Sequence, residues 1–325
     1  MNKKLLLILL LSISVWYGCD DDDDDKQPVR NWTAHALWSS GSRPIASPDG
    51  ERVLFIEEGV EGGLYLLENG QARKLNEGGP SLRADYYWSH DGTKICFSGP
   101  GLPGDASAGI YLSSNAELTE FTKIWDRGSD PVFTRFDEEI LCAGPEDGVS
   151  DGIWKIDLTT LERTRIISKG VKPRLSPDGH KIAYLFSTGG SAGRTLVVFD
   201  RQSLVSDTIG AGAAALTWLS DSQTIVYERV QNDQGDVGLS RLFLTGIGEF
   251  APGTLLFDNA TNPVEIPGTM QFLYNSFSGD LAEGIRIGAT TGSSVQLADS
   301  GYTPYAVNEN HIVAATTAGI FEITR

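Results

Sequence analysis

One feature limits this chain more than any other: a segment built around a Pro-Asp-Gly turn returns at a nearly constant interval. Pro44-Ile-Ala-Ser-Pro-Asp-Gly-Glu-Arg-Val-Leu-Phe55 recurs as Pro173-Arg-Leu-Ser-Pro-Asp-Gly-His-Lys-Ile-Ala-Tyr184 and as Tyr86-Tyr-Trp-Ser-His-Asp-Gly-Thr-Lys-Ile-Cys-Phe97. Apolar residues alternate on both sides, as in strands. Proline, aspartate and glycine between them supply a fixed φ, a self-capping side chain and a residue tolerant of positive φ, the chemistry of a hairpin turn. Weaker copies run from Pro131 to Cys142, Leu216 to Tyr227, Pro263 to Tyr274 and Pro304 to Ala314. The turns fall at positions 50, 92, 137, 179, 222, 269 and 309, in steps of 40 to 47 residues.

Each copy continues into a third strand, such as Gly63-Leu-Tyr-Leu-Leu67, Gly152-Ile-Trp-Lys-Ile156 or Gly319-Ile-Phe-Glu-Ile323, and several into a fourth, such as Arg163-Thr-Arg-Ile-Ile167. Four short antiparallel strands per repeat form a propeller blade, and stacking such blades buries a core that no single one has. The fold expected over residues 31–325 is therefore all-β, a single β-propeller of seven four-stranded blades; six blades plus irregular structure is the alternative count. The last copy stops after its third strand at Arg325, while Thr33-Ala-His-Ala-Leu-Trp38 precedes the first turn as an orphan strand. Pairing the two would close the ring and cover a sheet edge.

These repeats resemble the TolB-type propeller repeat, related to WD-type repeats and to the propellers of dipeptidyl-peptidase-like enzymes. The resemblance implies a β-propeller of antiparallel blades and no single activity. The α/β domain that precedes the propeller in TolB and the hydrolase domain that follows it in the peptidases have no counterpart here, so neither the partners of the first nor the chemistry of the second is carried over.

The first 30 residues read as an address. Lys3 and Lys4 precede an apolar run from Leu5 to Trp16, the length of a signal-peptide core and too short to span a membrane. Trp16-Tyr17-Gly18-Cys19 resembles the lipobox of bacterial lipoproteins, which implies cleavage after Gly18 and lipidation of Cys19; an ordinary secretory signal is the alternative. Residues 1–18 are thus expected to be a signal peptide. Residues 19–30, with six aspartates from Asp20 to Asp25, form an acidic tether that cannot collapse on itself. An acidic run behind the lipidated cysteine resembles the surface-export signal of Bacteroidetes-type lipoproteins. This implies an outer-membrane or cell-surface location, with a periplasm-facing anchor as the alternative. Several acyl chains on one cysteine would hold the protein stably.

The formal charge is −17 from 26 basic and 43 acidic side chains, and removal of residues 1–18 leaves −19. The tether carries −4 of that, so the folded part is itself acidic and would repel nucleic acid. No nucleic-acid partner is expected, and contact with the membrane is expected only through the anchor. Cys96 and Cys142 sit in strands at different phases, so their side chains should point to opposite blade faces; two buried thiols are expected rather than a disulfide.

The search for chemistry returns little. Gly189-Gly-Ser191-Ala-Gly193 has the letters of a nucleophile elbow but strands on both sides, which makes it a hairpin loop. His90, His180 and His311 lie at turns spread around the ring, so a three-histidine metal site is not expected. Oligogalacturonate lyases are propellers with similar repeats and a metal site, yet no histidine and glutamine cluster on neighbouring strands carries their function over. Acidic loops, Glu57-Glu58-Gly-Val-Glu61, Pro145 to Asp151 and Asn232 to Asp236, could offer oxygens to calcium but lack calcium-loop spacing. Solvated loops are the preferred reading, and no cofactor is expected.

The blade-to-blade connections should end at the mouth of the central channel, which would place Arg43, Asp85, Asp130, Lys172, Asn262 and Thr303 around it, with Tyr86, Tyr87, Trp88 and Arg174 beside them. From these, Arg43, Asp85, Tyr86, Tyr87, Asp130, Lys172 and Arg174 are the candidate ligand-binding residues. The expected function is a non-catalytic scaffold that binds a protein or glycan of the cell envelope through its loop-rich face. The alternative is a carbohydrate-active lyase or hydrolase using Asp85 and Asp130 with Arg43 or Lys172.

Overall fold

The computed structural model describes residues 32–59, 62–76, 85–99, 108–146, 150–187, 194–231, 239–247, 253–278 and 281–325, and these are all β-structure and turns. Cys19, the aspartate run, the Gly189 to Gly193 motif and Asn232 to Asp236 lie outside them. Strand β1 (Thr33–Trp38) comes first. Unit 1 holds β2 (Ser42–Ala46), β3 (Arg52–Glu57), β4 (Gly63–Glu68) and β5 (Gln71–Lys74). Unit 2 holds β6 (Asp85–Trp88), β7 (Ile95–Gly99), β8 (Gly109–Ser113) and β9 (Phe121–Trp125), and unit 3 holds β10 (Ser129–Phe133), β11 (Glu139–Glu146), β12 (Ser150–Asp157) and β13 (Arg163–Ile167).

The next seven strands, β14 (Val171–Leu175), β15 (Lys181–Ser187), β16 (Arg194–Asp200), β17 (Ser206–Trp218), β18 (Thr224–Gln231), β19 (Leu239–Gly246) and β20 (Thr254–Asp258), form one continuous sheet. The 13-residue β17 is both the outer strand of unit 4 and the inner strand of unit 5. It turns the corner at Gly212, whose φ of 79° suits glycine, next to a register shift between Ala213 and Ala215. The last strands are β21 (Ala260–Glu265), β22 (Gln271–Ser278), β23 (Leu281–Ala289) and β24 (Ser294–Ala298), then β25 (Tyr302–Asn308), β26 (His311–Thr316) and β27 (Gly319–Thr324). The final sheet is completed by β1, which runs antiparallel to β27 with Thr33 opposite Thr324 and Ala36 opposite Phe321.

The first strands of successive units touch one another, and β2 of unit 1 touches β25 of the last unit. Period-2 alternation explains how the units adhere. On β3, Leu54 and Ile56 pack toward unit 2, whereas Val53 and Phe55 pack toward the final unit. On β11, Ile140 and Cys142 meet unit 2 while Leu141 and Ala143 meet unit 4. The core is thus divided among seven clusters, each between neighbouring units.

Both Cys96 and Cys142 are free and buried. They point to opposite faces of their own units, but because those units are neighbours, both thiols enter the same cluster. Phase alone therefore does not separate two residues on adjacent blades.

The hairpin turns follow the sequence closely. Gly50, Gly92, Asp137, Gly179 and Ser222 all have positive φ; in the sixth copy the positive φ falls on Gly268, one residue before the expected position. Serine is the hidden partner of the turn. Buried Ser89 donates to Asp91 at 2.6 Å and accepts from the Lys94 N–H at 2.8 Å, and Ser47 and Ser176 are placed alike. Side-chain hydrogen bonds from Ser47 and Ser89 hold the carboxyls of Asp49 and Asp91 below the ordinary value of 3.8. Their contribution to stability is present above that value and is lost as pH falls through their depressed pKa values.

Two outcomes are expected from thermal and denaturant unfolding. Ser89→Ala should lose about 1–3 kcal/mol, because the Lys94 N–H is left without its acceptor. Deleting residues 32–40 removes the strand partner of β27 together with Leu37 and Trp38, which pack on the closing cluster. That should lose at least about 3 kcal/mol and produce concentration-dependent association through the bared edge, visible in sedimentation.

Candidate functional site

The site begins with a local backbone device. Arg43, Asp130, Lys172, Asn262 and Thr303 all adopt φ between 48° and 54°, and each immediately precedes a proline: Pro44, Pro131, Pro173, Pro263 and Pro304, all of them buried. Each also sits in a register shift between the first and second strands of its unit. Proline has no N–H for the ladder, so the strand bulges there and the residue before it is rotated out of the pleat. The freed N–H then needs an acceptor. The preceding unit provides it in four cases: Thr303 Oγ1 for Arg43 at 3.2 Å, Asp130 Oδ2 for Lys172 at 3.3 Å, Glu228 Oε2 for Asn262 at 3.2 Å and Asn275 Oδ1 for Thr303 at 3.2 Å. Thr303, Asp130, Glu228 and Asn275 are therefore latches between units.

Six of the seven candidate residues join in one network. Arg43 Nη2 pairs with Asp85 Oδ1 at 3.2 Å, and Asp85 is near enough to Asp130 for their charges to act on each other. Burial, then repulsion from Asp85, pushes the Asp130 carboxyl above the ordinary carboxylate range, with Arg174 and the Lys172 N–H opposing. Arg174 donates to the Tyr87 hydroxyl, and its guanidinium lies 5.1 Å from the centre of the Tyr87 ring. Lys172 joins through its backbone N–H; its ammonium makes no hydrogen bond or ion pair among the described residues.

Tyr86 corrects the expectation. It is 1% exposed, packs in the core between units 1 and 2, and its hydroxyl donates to the Arg43 carbonyl. Side chains alternate between the two neighbouring units along the strand, so Tyr86 packs toward unit 1 while Tyr87 is partly buried against the cluster between units 2 and 3. It is a packing residue that supports Arg43, not a residue that meets a ligand. Trp88 also faces that core, donating to the Ile45 carbonyl at 3.1 Å.

Sequence reasoning missed three further groups of the inner ring. Glu228 accepts 2.5 and 3.2 Å bonds from the Thr261 hydroxyl and the Asn262 N–H, Tyr305 is pushed up to about 12 by burial, with Tyr87 and Glu265 also acting on it, and Glu265 is raised by burial beside Ser220. The recurrence of proline in the inner strands was the signal that could have found the latch acceptors. Nothing in the sequence pointed to Tyr305.

The histidines serve the turns at the opposite end of the strands. His90 bonds Asp137 at 2.9 Å, and the His311 ring packs over Gly50 and lies 3.2 Å from Glu322. Among the described residues no three histidine, cysteine or carboxylate groups are placed to hold a metal ion.

Asp130 gives a signed pH test. Its folded pKa is raised, so its contribution to stability is full below 3.8 and is lost as pH rises through the raised value. An asparagine in its place would keep the left-handed backbone and accept from the Lys172 N–H. The stability of wild type relative to either Asp130→Asn or Asp130→Ala should fall as pH rises across that window, with Asp130→Ala less stable than Asp130→Asn by about 1–3 kcal/mol throughout because it orphans the Lys172 N–H.

No protein-family model matches the sequence, and no curated protein matches it. Solved structures do. A TolB structure from Agrobacterium tumefaciens is 20% identical with a TM-score of 0.52, covering 68% of this chain and 83% of that one. An oligogalacturonate lyase in complex with manganese is 12% identical with a TM-score of 0.66, covering 93% and 95%. The β-propeller domain of Cps50 (Swd1) from Myceliophteria thermophila is 11% identical with a TM-score of 0.61, covering 88% and 97%. At these identities the likeness concerns the fold, and the chain has the fold of a TolB-like β-propeller.

Proposed function

We propose that this protein is an envelope-anchored, extracytoplasmic recognition scaffold that binds a protein or glycan through the loop-rich end of its propeller and performs no chemistry of its own. The observation that carries this reading is that both carboxyls are tied to the fold: Arg43 Nη2 lies 3.2 Å from Asp85 Oδ1, and the Lys172 N–H donates to Asp130 Oδ2 at 3.3 Å. Carboxyls held in this way are latches between units rather than groups open to a sugar. TolB and Cps50 (Swd1) propellers among the structural neighbours support a binding role at the level of the fold.

The second reading, a carbohydrate-active lyase or hydrolase, is favoured by one observation: a raised carboxyl at the channel mouth beside two arginines. The fold likeness to an oligogalacturonate lyase gives it a substrate class to try. Anchorage rests on the cysteine and acidic run at residues 19–25.

Three measurements test the proposal. Cys19→Ala should move the protein from the membrane fraction to the soluble fraction and abolish incorporation of labelled fatty acid. Affinity capture from solubilised envelope should recover a partner with the wild type that a Tyr87→Ala, Lys172→Ala, Arg174→Ala variant recovers at least about tenfold less. Incubation with acidic oligosaccharides should release no new reducing ends and no unsaturated product; turnover that disappears in Asp130→Asn would replace the scaffold with the enzyme.

A further inference from the structure

A repeat protein carries its own internal reference, so a unit that breaks the shared rule in an unfavourable direction marks a place where something other than folding decides the residue. Asp49, Asp91, Asp178 and Asp221 each hold their turn by accepting a backbone N–H two residues on, from Glu51, Thr93, His180 and Gln223. Unit 3 has Phe136 at that position, 75% exposed. Close by, the turns between the third and fourth strands of units 3 and 4 place Leu161 and Leu204 at φ 59° and 60°, a conformation that leucine rarely adopts. Leu118 at the matching place in unit 2 has a reason to be leucine, because it is buried in the core between units 1 and 2. Leu161 and Leu204 are 43% and 72% exposed, and Val205 beside them is exposed too.

These side chains share one surface. Arg135 bonds the Asp178 carbonyl at 3.4 Å, Arg201 bonds the Gly179 carbonyl at 3.0 Å and reaches Glu139 at 3.5 Å, and the Leu158 N–H bonds the Glu138 carbonyl at 2.9 Å, tying all four turns together. Of the eight exposed large apolar residues among the described ones, all but Val230 lie in the turns at this end or within two residues of them. The charges around the patch are asymmetric. Arg135 lies over the Phe136 ring, Arg163 lies over the Trp125 ring, and Lys155 and Arg201 are held by Glu139, whereas the exposed carboxylates of Glu138 and Glu162 make no hydrogen bond or ion pair among the described residues.

We propose that the turn end of units 3 and 4, opposite the channel-mouth cluster, docks a cationic amphipathic segment of another protein. Its apolar side chains would seat on Phe136, Leu161 and Leu204, and its lysines or arginines would face Glu138 and Glu162. A second copy of this chain would meet the same free carboxylates on a molecule of net charge −17, and an anionic lipid surface is repelled for the same reason.

The test uses the purified protein and two fluorescein-labelled peptides, one alternating leucine and lysine at amphipathic helical spacing and one with alanine for each leucine, followed by anisotropy at physiological ionic strength. The leucine peptide should bind, and a Phe136→Ser, Leu204→Gly variant should bind it at least about tenfold more weakly. Glycine relieves the positive φ at 204, so the Leu204→Gly single variant should keep or raise the Tm while weakening binding, which separates loss of the surface from loss of the fold. Glu138→Gln with Glu162→Gln should flatten the salt dependence. Equal binding of both peptides, equal affinity of wild type and apolar variants, preferential binding to phosphatidylethanolamine–phosphatidylglycerol vesicles, or a dimer in sedimentation that Phe136→Ser dissolves would each overturn the proposal.

Discussion

A strand whose side chains are apolar on both faces must find a neighbour on each side, and that demand makes the ring. Val53, Leu54, Phe55 and Ile56 are four consecutive buried residues, and no single sheet can cover them from both directions. Each unit therefore has a deficit on two faces that only the units before and after it can fill, and the deficit recurs until the last unit meets the first. The pairing of β1 with β27 fits the same need, since it covers the last open edge with the chain's own beginning. The cores between neighbouring units follow from that unmet surface.

The channel mouth inherits its geometry from the way the inner strands begin. Proline removes one ladder donor, the strand bulges, and the residue before it turns its backbone N–H toward the preceding unit. Asp130 and Thr303 accept such bonds, so these side chains tie units together. This use explains why the polar ring is closely paired, and why a raised carboxyl there is as readily a consequence of packing as of catalysis. The opposite end differs. Its turns are already held by aspartate and serine, so an exposed phenylalanine or leucine there adds nothing to the ring.

Much of the fold was legible because the turn chemistry is local. Gly50, Gly92, Asp137, Gly179 and Ser222 take positive φ where the repeat placed them. Degenerate copies were harder to read: Gly268 carries the turn one residue early, and β17 runs through a unit boundary that no proline interrupts. The site was legible to the level of which residues precede the inner-strand prolines and take part in contacts between units. Alternation sends Tyr86 and Tyr87 toward different neighbours, but two adjacent tyrosines carry no label saying which faces unit 1 and which unit 3, and the phase is set by the cores shared with those units.

By itself the sequence determined that four-stranded units repeat, where each unit turns, and that prolines recur at the head of the inner strands, because these depend on residues close together in the chain. Only the tertiary structure decided which of those residues meet. Cys96 and Cys142 enter one cluster although they face opposite ways, Asp130 accepts from the Lys172 N–H across a unit boundary, and Phe136 comes to neighbour the exposed turns of unit 4. The physical reason is the same in each case: a contact between units depends on how adjacent blades are rotated against each other, and no spacing within a single repeat encodes that rotation.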